Sequence, residues 1–131
     1  MLFYQFSSQE ERKECGGSYF IEMQYCRLQH SSEIEDIVSV NAIKNWKNDS
    51  LYIYGDSDNE FVLHYGEIFN IGTYNNLQSG IVDMCGINYY SKENTRTIIE
   101  KVKEKKPLDY PILLDWLERC EDYNGFYVLG L

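Results

Sequence analysis

The side chains that could do chemistry are few in this chain, and they are scattered. His30 and His64 are the only histidines, and Cys15, Cys26, Cys85 and Cys120 the only cysteines. Neither histidine falls in an HxxxH, HExxH or His–Cys cluster, so a zinc site would have to gather remote cysteines or acids. The densest run of oxygen-bearing side chains is Asp56-Ser57-Asp58-Asn59-Glu60. A calcium loop begun at Asp56 needs glycine at its sixth position and glutamate at its twelfth. Phe61 and Glu67 stand there, and Phe61 cannot make the glycine's turn. Nucleophilic catalysis needs a thiol or hydroxyl held against a base beside an oxyanion donor. Cys85, His64 and an acid make a formal combination, but no spacing selects it. Glu10-Glu11, Glu33 with Glu35-Asp36, and Glu118 with Glu121-Asp122 supply paired carboxylates. On a helix Glu118 and Asp122 share a face, and such pairs are ordinarily solvated surface. Gly66, Gly72, Gly80 and Gly86 are too dispersed to cradle a phosphate. The expectation is therefore no catalytic residue, no metal and no cofactor: a protein that binds rather than an enzyme.

The elements that must carry these residues follow from periodicity. Leu2 to Phe6 and Ser18 to Leu28 read as strands, the second with Tyr19, Ile21, Met23 and Tyr25 on one face and Phe20, Glu22, Gln24 and Cys26 on the other. Ser8 to Gly17 between them is a loop or a short helical turn. Ser32 and Glu35 have capping-box spacing, so a short helix is expected from about residue 33 to 39, with His30 exposed before it. Leu51–Tyr54 and Glu60–Tyr65 flank the turn-forming run Gly55–Asn59 and predict an antiparallel hairpin. That places His64 on a strand. Glu67–Ile71, Gly80–Met84 and Ile87–Tyr90 are candidate further strands. Ser91 is placed to cap a helix running to Lys105 with Ile98, Ile99 and Val102 inward. Pro107 and Asp109 end it, and Pro111 opens a second helix through Asp122, with Asp109 as cap and Leu113, Leu114, Leu117 and Cys120 as the apolar stripe. Asn124-Gly125 stops that helix, and Phe126–Leu129 returns as a strand. The expected architecture is one α+β domain over residues 1–131, a mostly antiparallel sheet with the two C-terminal helices packed on one side.

Charge and aromatic content narrow the partner. The 131 residues carry a net charge of −9 and include 12 tyrosines. A field of that sign repels nucleic acid and anionic membranes and steers a basic protein inward. Tyrosine suits interfaces because a rigid ring supplies contact area while its hydroxyl stays hydrogen-bonded. Residues 31–60 hold seven acidic and two basic side chains, a net of −5, and residues 107–131 hold five and one, a net of −4. Residues 91–106 hold six basic and three acidic, a net of +3. Lys101, Lys103, Lys105 and Lys106 in that stretch complement a helix C-terminus, so direct nucleic-acid binding is not expected. No apolar run approaches the roughly 20 residues that span a bilayer. The N-terminus has no basic segment before its short apolar run, so a secretory leader is not expected. A cytoplasmic location, with free thiols rather than disulfides, is the expectation; four cysteines formally allow two bridges in three pairings.

The segments Asp109-Tyr110-Pro111-Ile112-Leu113-Leu114-Asp115-Trp116-Leu117 and Tyr123-Asn124-Gly125-Phe126-Tyr127-Val128-Leu129-Gly130-Leu131 resemble those of bacterial immunity proteins from contact-dependent and other polymorphic toxin systems. The resemblance implies a cytoplasmic protein that binds a cognate toxin domain, often a nuclease, and occludes it without turnover. It transfers no catalytic residue. Nuclease domains are commonly basic because they hold phosphate backbones, which an acidic inhibitor complements. On the residues themselves, Asp56, Asp58 and Glu60 at the expected hairpin tip are the first candidate contacts, and Glu33, Glu35 and Asp36 the next. Tyr52, Tyr54 and Tyr65 are candidate aromatic anchors, subject to strand alternation, whereas Trp116 and Phe126 are expected to hold helix against sheet. The alternatives are a small acidic interaction or regulatory module, favoured by a preformed concave apolar pocket, and a small enzyme, favoured by a convergent Cys–His–acid pocket.

Overall fold

The computed structural model describes residues 1–16, 20–43, 47–74, 76–80, 82 and 86–130. Its frame is a six-stranded sheet in the order β2-β1-β6-β5-β3-β4, antiparallel throughout. The strands are β1 (Phe20–Tyr25), β2 (Leu51–Tyr54), β3 (Gly72–Tyr74), β4 (Ser79–Gly80), β5 (Ile87–Tyr90) and β6 (Phe126–Leu129). The helices are α1 (Gln9–Gly16), α2 (Ile34–Ile37), α3 (Val40–Ile43), α4 (Asp58–Tyr65), α5 (Lys92–Lys105) and α6 (Tyr110–Arg119). Register sets the two faces. Ile21, Met23 and Tyr25 of β1 line up with Ile53, Leu51, Val128 and Phe126, and this face packs against α4, α5 and α6 through Phe61, Tyr65, Ile98, Val102, Leu113, Trp116 and Leu117. The opposite face carries two smaller clusters: Cys26, Tyr89 and Tyr127 under Ile37 and Val38, and Phe20 and Tyr52 under Phe6. This is the expected α+β architecture, with the two C-terminal helices on one side.

Those two helices form for the reasons their sequences give. The Ser91 Oγ accepts from the Asn94 amide at 3.1 Å, and α5 ends with Lys106 in the left-handed region at φ 47°. Pro111 sits in the first turn of α6, where its missing N–H costs nothing. Asp109 occupies the cap position of α6, but its side chain is used elsewhere. Its Oδ2 accepts from the amides of Leu2 (2.8 Å) and Phe3 (3.1 Å), pinning the N-terminal segment to the core. That segment is not a strand: Leu2–Phe6 contributes only the bridge Tyr4–Tyr52, closed by two backbone hydrogen bonds of 2.8 Å. Gly125, at φ +79°, turns the chain into β6, where a Cβ would stand 2.0 Å from the Tyr90 carbonyl oxygen.

Other expectations are corrected. The expected hairpin does not exist: after β2 the chain makes a 3-10 turn, Gly55–Ser57, and enters helix α4. The run Phe61-Val62-Leu63-His64-Tyr65 is too short to distinguish strand from helix by composition. Helical spacing wins because it turns Leu63 away from the buried Phe61 and Tyr65, which alternation would have grouped with it, and carries the apolar stripe on to Ile68 and Phe69. Glu67–Ile71 forms turns rather than a strand. Of Ser8–Gly17, residues 9–16 form α1 and residue 17 lies outside the described residues; the Ser8 Oγ accepts from the Glu11 amide at 3.1 Å and the Glu11 carboxylate accepts from the Ser7 amide at 2.9 Å. Of the helix expected at 33–39 only the single turn α2 forms, with Glu33 as its cap by position alone and no side-chain bond, and α3 follows beyond that span. Of the expected strand Ser18–Leu28, residues 20–25 form β1, and residues 18 and 19 lie outside the described residues. Of Gly80–Met84, Gly80 belongs to β4, Val82 is buried, and residues 81, 83 and 84 lie outside the described residues, as does Cys85. Cys15, Cys26 and Cys120 are free thiols, the first exposed and the others buried. Among the described residues, no helix is long and apolar enough to cross a membrane.

Candidate functional site

Six candidate acids project from helices on opposite sides of the sheet. Glu33, Glu35 and Asp36 lie at the start of α2, which covers the Tyr89–Tyr127 face beyond the C-terminal end of β1. Asp56, Asp58 and Glu60 lie on the 3-10 turn and first turn of α4, which packs on the other face past the Tyr54–Phe20 pair at the N-terminal end of β1. The length of β1 alone separates the two groups by roughly 20 Å at about 3.3 Å per residue. They therefore form two patches rather than one. None of the six acids is in an ion pair among the described residues, where the pairs are Arg27–Asp49, Arg96–Glu121, Lys105–Glu67 and Arg119–Asp115.

The α4 patch has a second component that the strand reading concealed. With Phe61 and Tyr65 turned inward, the outer face of α4 exposes Val62 (39%) and Leu63 (79%). Glu60 precedes Leu63 by three residues and Asp58 precedes Val62 by four, each one turn away on α4, and Glu67, past the end of the helix, lines the groove beside Leu63. Beside them a groove of about 470 Å³ runs between the end of α4 and the end of α5, lined by Val62, Leu63, His64, Gly66, Ile68 and Lys105. Lys105 closes one wall through its ion pair with Glu67 at 3.6 Å. His64 is an exposed member of this surface, not a strand residue. The signal that would have revealed the patch is Ile68, three positions after Tyr65 and seven after Phe61, a helical spacing that a strand would put on the opposite face.

The candidate aromatic anchors divide. Tyr52 and Tyr65 are fully buried, so in this fold they belong to the core and not to an interface. Tyr52 packs among Phe6 and Phe20, and the Tyr65 hydroxyl donates to the Leu108 carbonyl at 2.6 Å. Burial raises the Tyr65 phenol's ionisation well above its ordinary value. Tyr54 is half-buried at the β2 edge. Its ring lies against Phe20 and Tyr4, and its hydroxyl donates to the Cys15 carbonyl at 2.7 Å.

A second concave region, of about 560 Å³, surrounds His30 and is lined by Arg27, Lys92, Asp122, Tyr123 and Asn124 among others. Asn124 fixes the imidazole. Its Nδ2 donates to the Gln29 carbonyl at 3.2 Å, which makes its Oδ1 the acceptor for His30 Nδ1 at 2.9 Å. The His30 Nδ1 thus carries a proton. Cys26 also lines this recess, but it is fully buried, with its sulfur 3.4 Å from the Tyr127 hydroxyl. The Cys85–His64 combination lies outside the described residues at its thiol. Among the described residues, no three His, Cys, Asp or Glu side chains are grouped as a metal site. No protein-family model matches the chain, no curated protein matches its sequence, and no solved structure matches its fold.

Proposed function

We propose that this protein is an immunity protein that neutralises a basic toxin domain in the cytoplasm by forming a stoichiometric complex that occludes it. The observation that carries the reading is the pair of acidic patches, Asp56-Asp58-Glu60 and Glu33-Glu35-Asp36, whose charges are uncompensated within the described chain. Charge left unpaired on a surface accelerates encounter with a partner of opposite sign, and speed matters for an inhibitor of a lethal enzyme. A nuclease domain suits this role because its phosphate-binding surface is basic. The resemblance of the C-terminal segments to immunity proteins points the same way. The His30 recess favours a second reading, a ligand-responsive interaction module, in which a small molecule fills the recess.

Co-expression with the C-terminal toxin domain encoded immediately upstream tests the proposal. Restored growth together with a purified complex of fixed stoichiometry supports neutralisation. Continued toxicity and no complex, with both proteins folded, removes it and shifts weight to the ligand-responsive module.

A further inference from the structure

We infer that the outer face of α4 is the docking surface for the basic partner, with Leu63 as its apolar anchor and the α4–α5 groove as a receptor for an aliphatic side chain of that partner. The inference rests on the neutralisation reading and adds to it a place and a mode of contact.

An exposed leucine on the outer face of a short helix does nothing for the fold, whose core is filled from the other side of α4 by Phe61, Tyr65 and Phe69. At 79% exposure Leu63 leaves most of its apolar surface in water, next to the partly exposed Val62 and an open groove. Interfaces concentrate affinity in such a centre and place charge at the rim. On α4 the rim is acidic: Asp58 stands one helical turn before Val62 and Glu60 one turn before Leu63, Asp56 precedes them on the 3-10 turn, and Lys105, the one cation lining the groove among the described residues, is engaged by Glu67. This sign selects the occupant. A second copy would bring its own acids against these, and a nucleic acid or anionic membrane would meet the same repulsion. A protein surface bearing Lys or Arg around an aliphatic knob satisfies both the rim and the groove. The α2 patch lacks the apolar component: its Ile37 and Val38 are buried against the sheet.

The two components make separable kinetic predictions. With the upstream-encoded toxin domain, inactivated at its catalytic site, as the probe, Leu63→Ala combined with Val62→Ala should raise Kd at least tenfold, mainly through faster dissociation. The triple variant Asp56→Asn, Asp58→Asn, Glu60→Gln should slow association several-fold and flatten its dependence on salt. Both sets of side chains lie outside the core, and circular dichroism and thermal melting check that each variant folds. Glu33→Gln, Glu35→Gln, Asp36→Asn is the comparison and should leave dissociation unchanged. Wild-type binding that both α4 variants leave intact overturns this surface while the neutralisation reading survives. Loss of binding confined to the α2 variant moves the interface there and overturns it equally. If the wild-type protein binds no toxin domain, both readings fall. Sedimentation of the protein alone should show a monomer; a dimer abolished by the Leu63→Ala and Val62→Ala pair would make α4 a self-interface and overturn the basic-partner assignment.

Discussion

Tyr25→Phe removes one oxygen from the centre of the core, and the structure sets its cost. The Tyr25 ring is stacked between Trp116 (centroids 4.1 Å apart, planes at 9°) and Tyr123 (4.5 Å, 10°), and Arg27 covers the far side of Tyr123 at 5.3 Å. Arg27 pairs with the Asp49 carboxylate, and the Asp49 carbonyl accepts from Trp116 Nε1 at 2.8 Å, so the stack closes on itself. The Tyr25 hydroxyl donates to the Trp116 carbonyl at 2.7 Å. At that point α6 tightens into the 3-10 turn Cys120–Asp122, and the amides at its cap donate to the Leu117 and Glu118 carbonyls. Phenylalanine keeps the stack but withdraws this donor from a buried carbonyl, which costs about 1–2 kcal/mol, more than an average exchanged hydrogen bond. For a chain of this length that is about 4 to 7 °C in Tm. Urea titration followed by far-UV circular dichroism measures it, with an unchanged slope confirming that the unfolded state is unaltered. Tyr25→Leu, which also destroys the stack, should lose at least twice as much. A Tyr25→Phe midpoint within error of wild type would refute the assignment of this hydroxyl as the cap of α6.

Two further outcomes follow from burial and backbone geometry. Tyr25, Tyr65, Tyr89, Tyr90 and Tyr127 all have phenol ionisation raised above the ordinary 10.0, with burial the largest cause in each. Their contribution to stability is complete below the unfolded value and is lost as pH rises above it, because only the unfolded chain gives up these protons readily. Each costs about 1.4 kcal/mol per pH unit there, about 7 kcal/mol together, so the fold should collapse cooperatively by about pH 12. Phenolate absorbance and circular dichroism should change together; phenolate appearing near pH 10 in an intact fold would contradict the burial of these hydroxyls. Gly125→Ala combines a left-handed backbone at φ +79° with a Cβ 2.0 Å from the Tyr90 carbonyl oxygen, and should cost about 3 kcal/mol or more. A wild-type thermal midpoint for this variant would mean that the chain enters β6 by another path.

What could be read from the sequence was what single residues decide. Ser91, Pro111 and Gly125 punctuate the last third, and the inward positions Ile98, Val102, Leu113 and Leu117 repeat at helical intervals long enough to fix the period. The acids of the candidate site were legible because ionised carboxylates stay in water in almost any fold. Leu63 was not, since strand alternation puts it on the face of Phe61 and Tyr65, and only the helical period turns it away from them. Residues 55–59 deepened the error: small and acidic side chains that favour a turn also favour the first turn of a helix, where α4 uses them. The burial of Tyr52 was equally hidden. Alternation sorts a strand into two faces but does not say that both are covered, and here Phe6 and α1 close the face on which Tyr52 lies. The Arg12 guanidinium of α1 sits 5.8 Å from that ring.

The placement of β6 also governs when this protein can exist. Among the described residues, β6 lies between β1 and β5 and is the only strand joining β2-β1 to β5-β3-β4. Its partner β1 is separated from it by most of the chain: Cys26 and Tyr127, in contact through sulfur and hydroxyl, are 101 positions apart. Before residues 126–129 have left the ribosome, the nascent chain holds two half-sheets with unsatisfied inner edges and no continuous face for α5 and α6 to cover. Completion of the sheet is thus coupled to synthesis past β6, because until residues 126–129 are available β1 and β5 have no common neighbour.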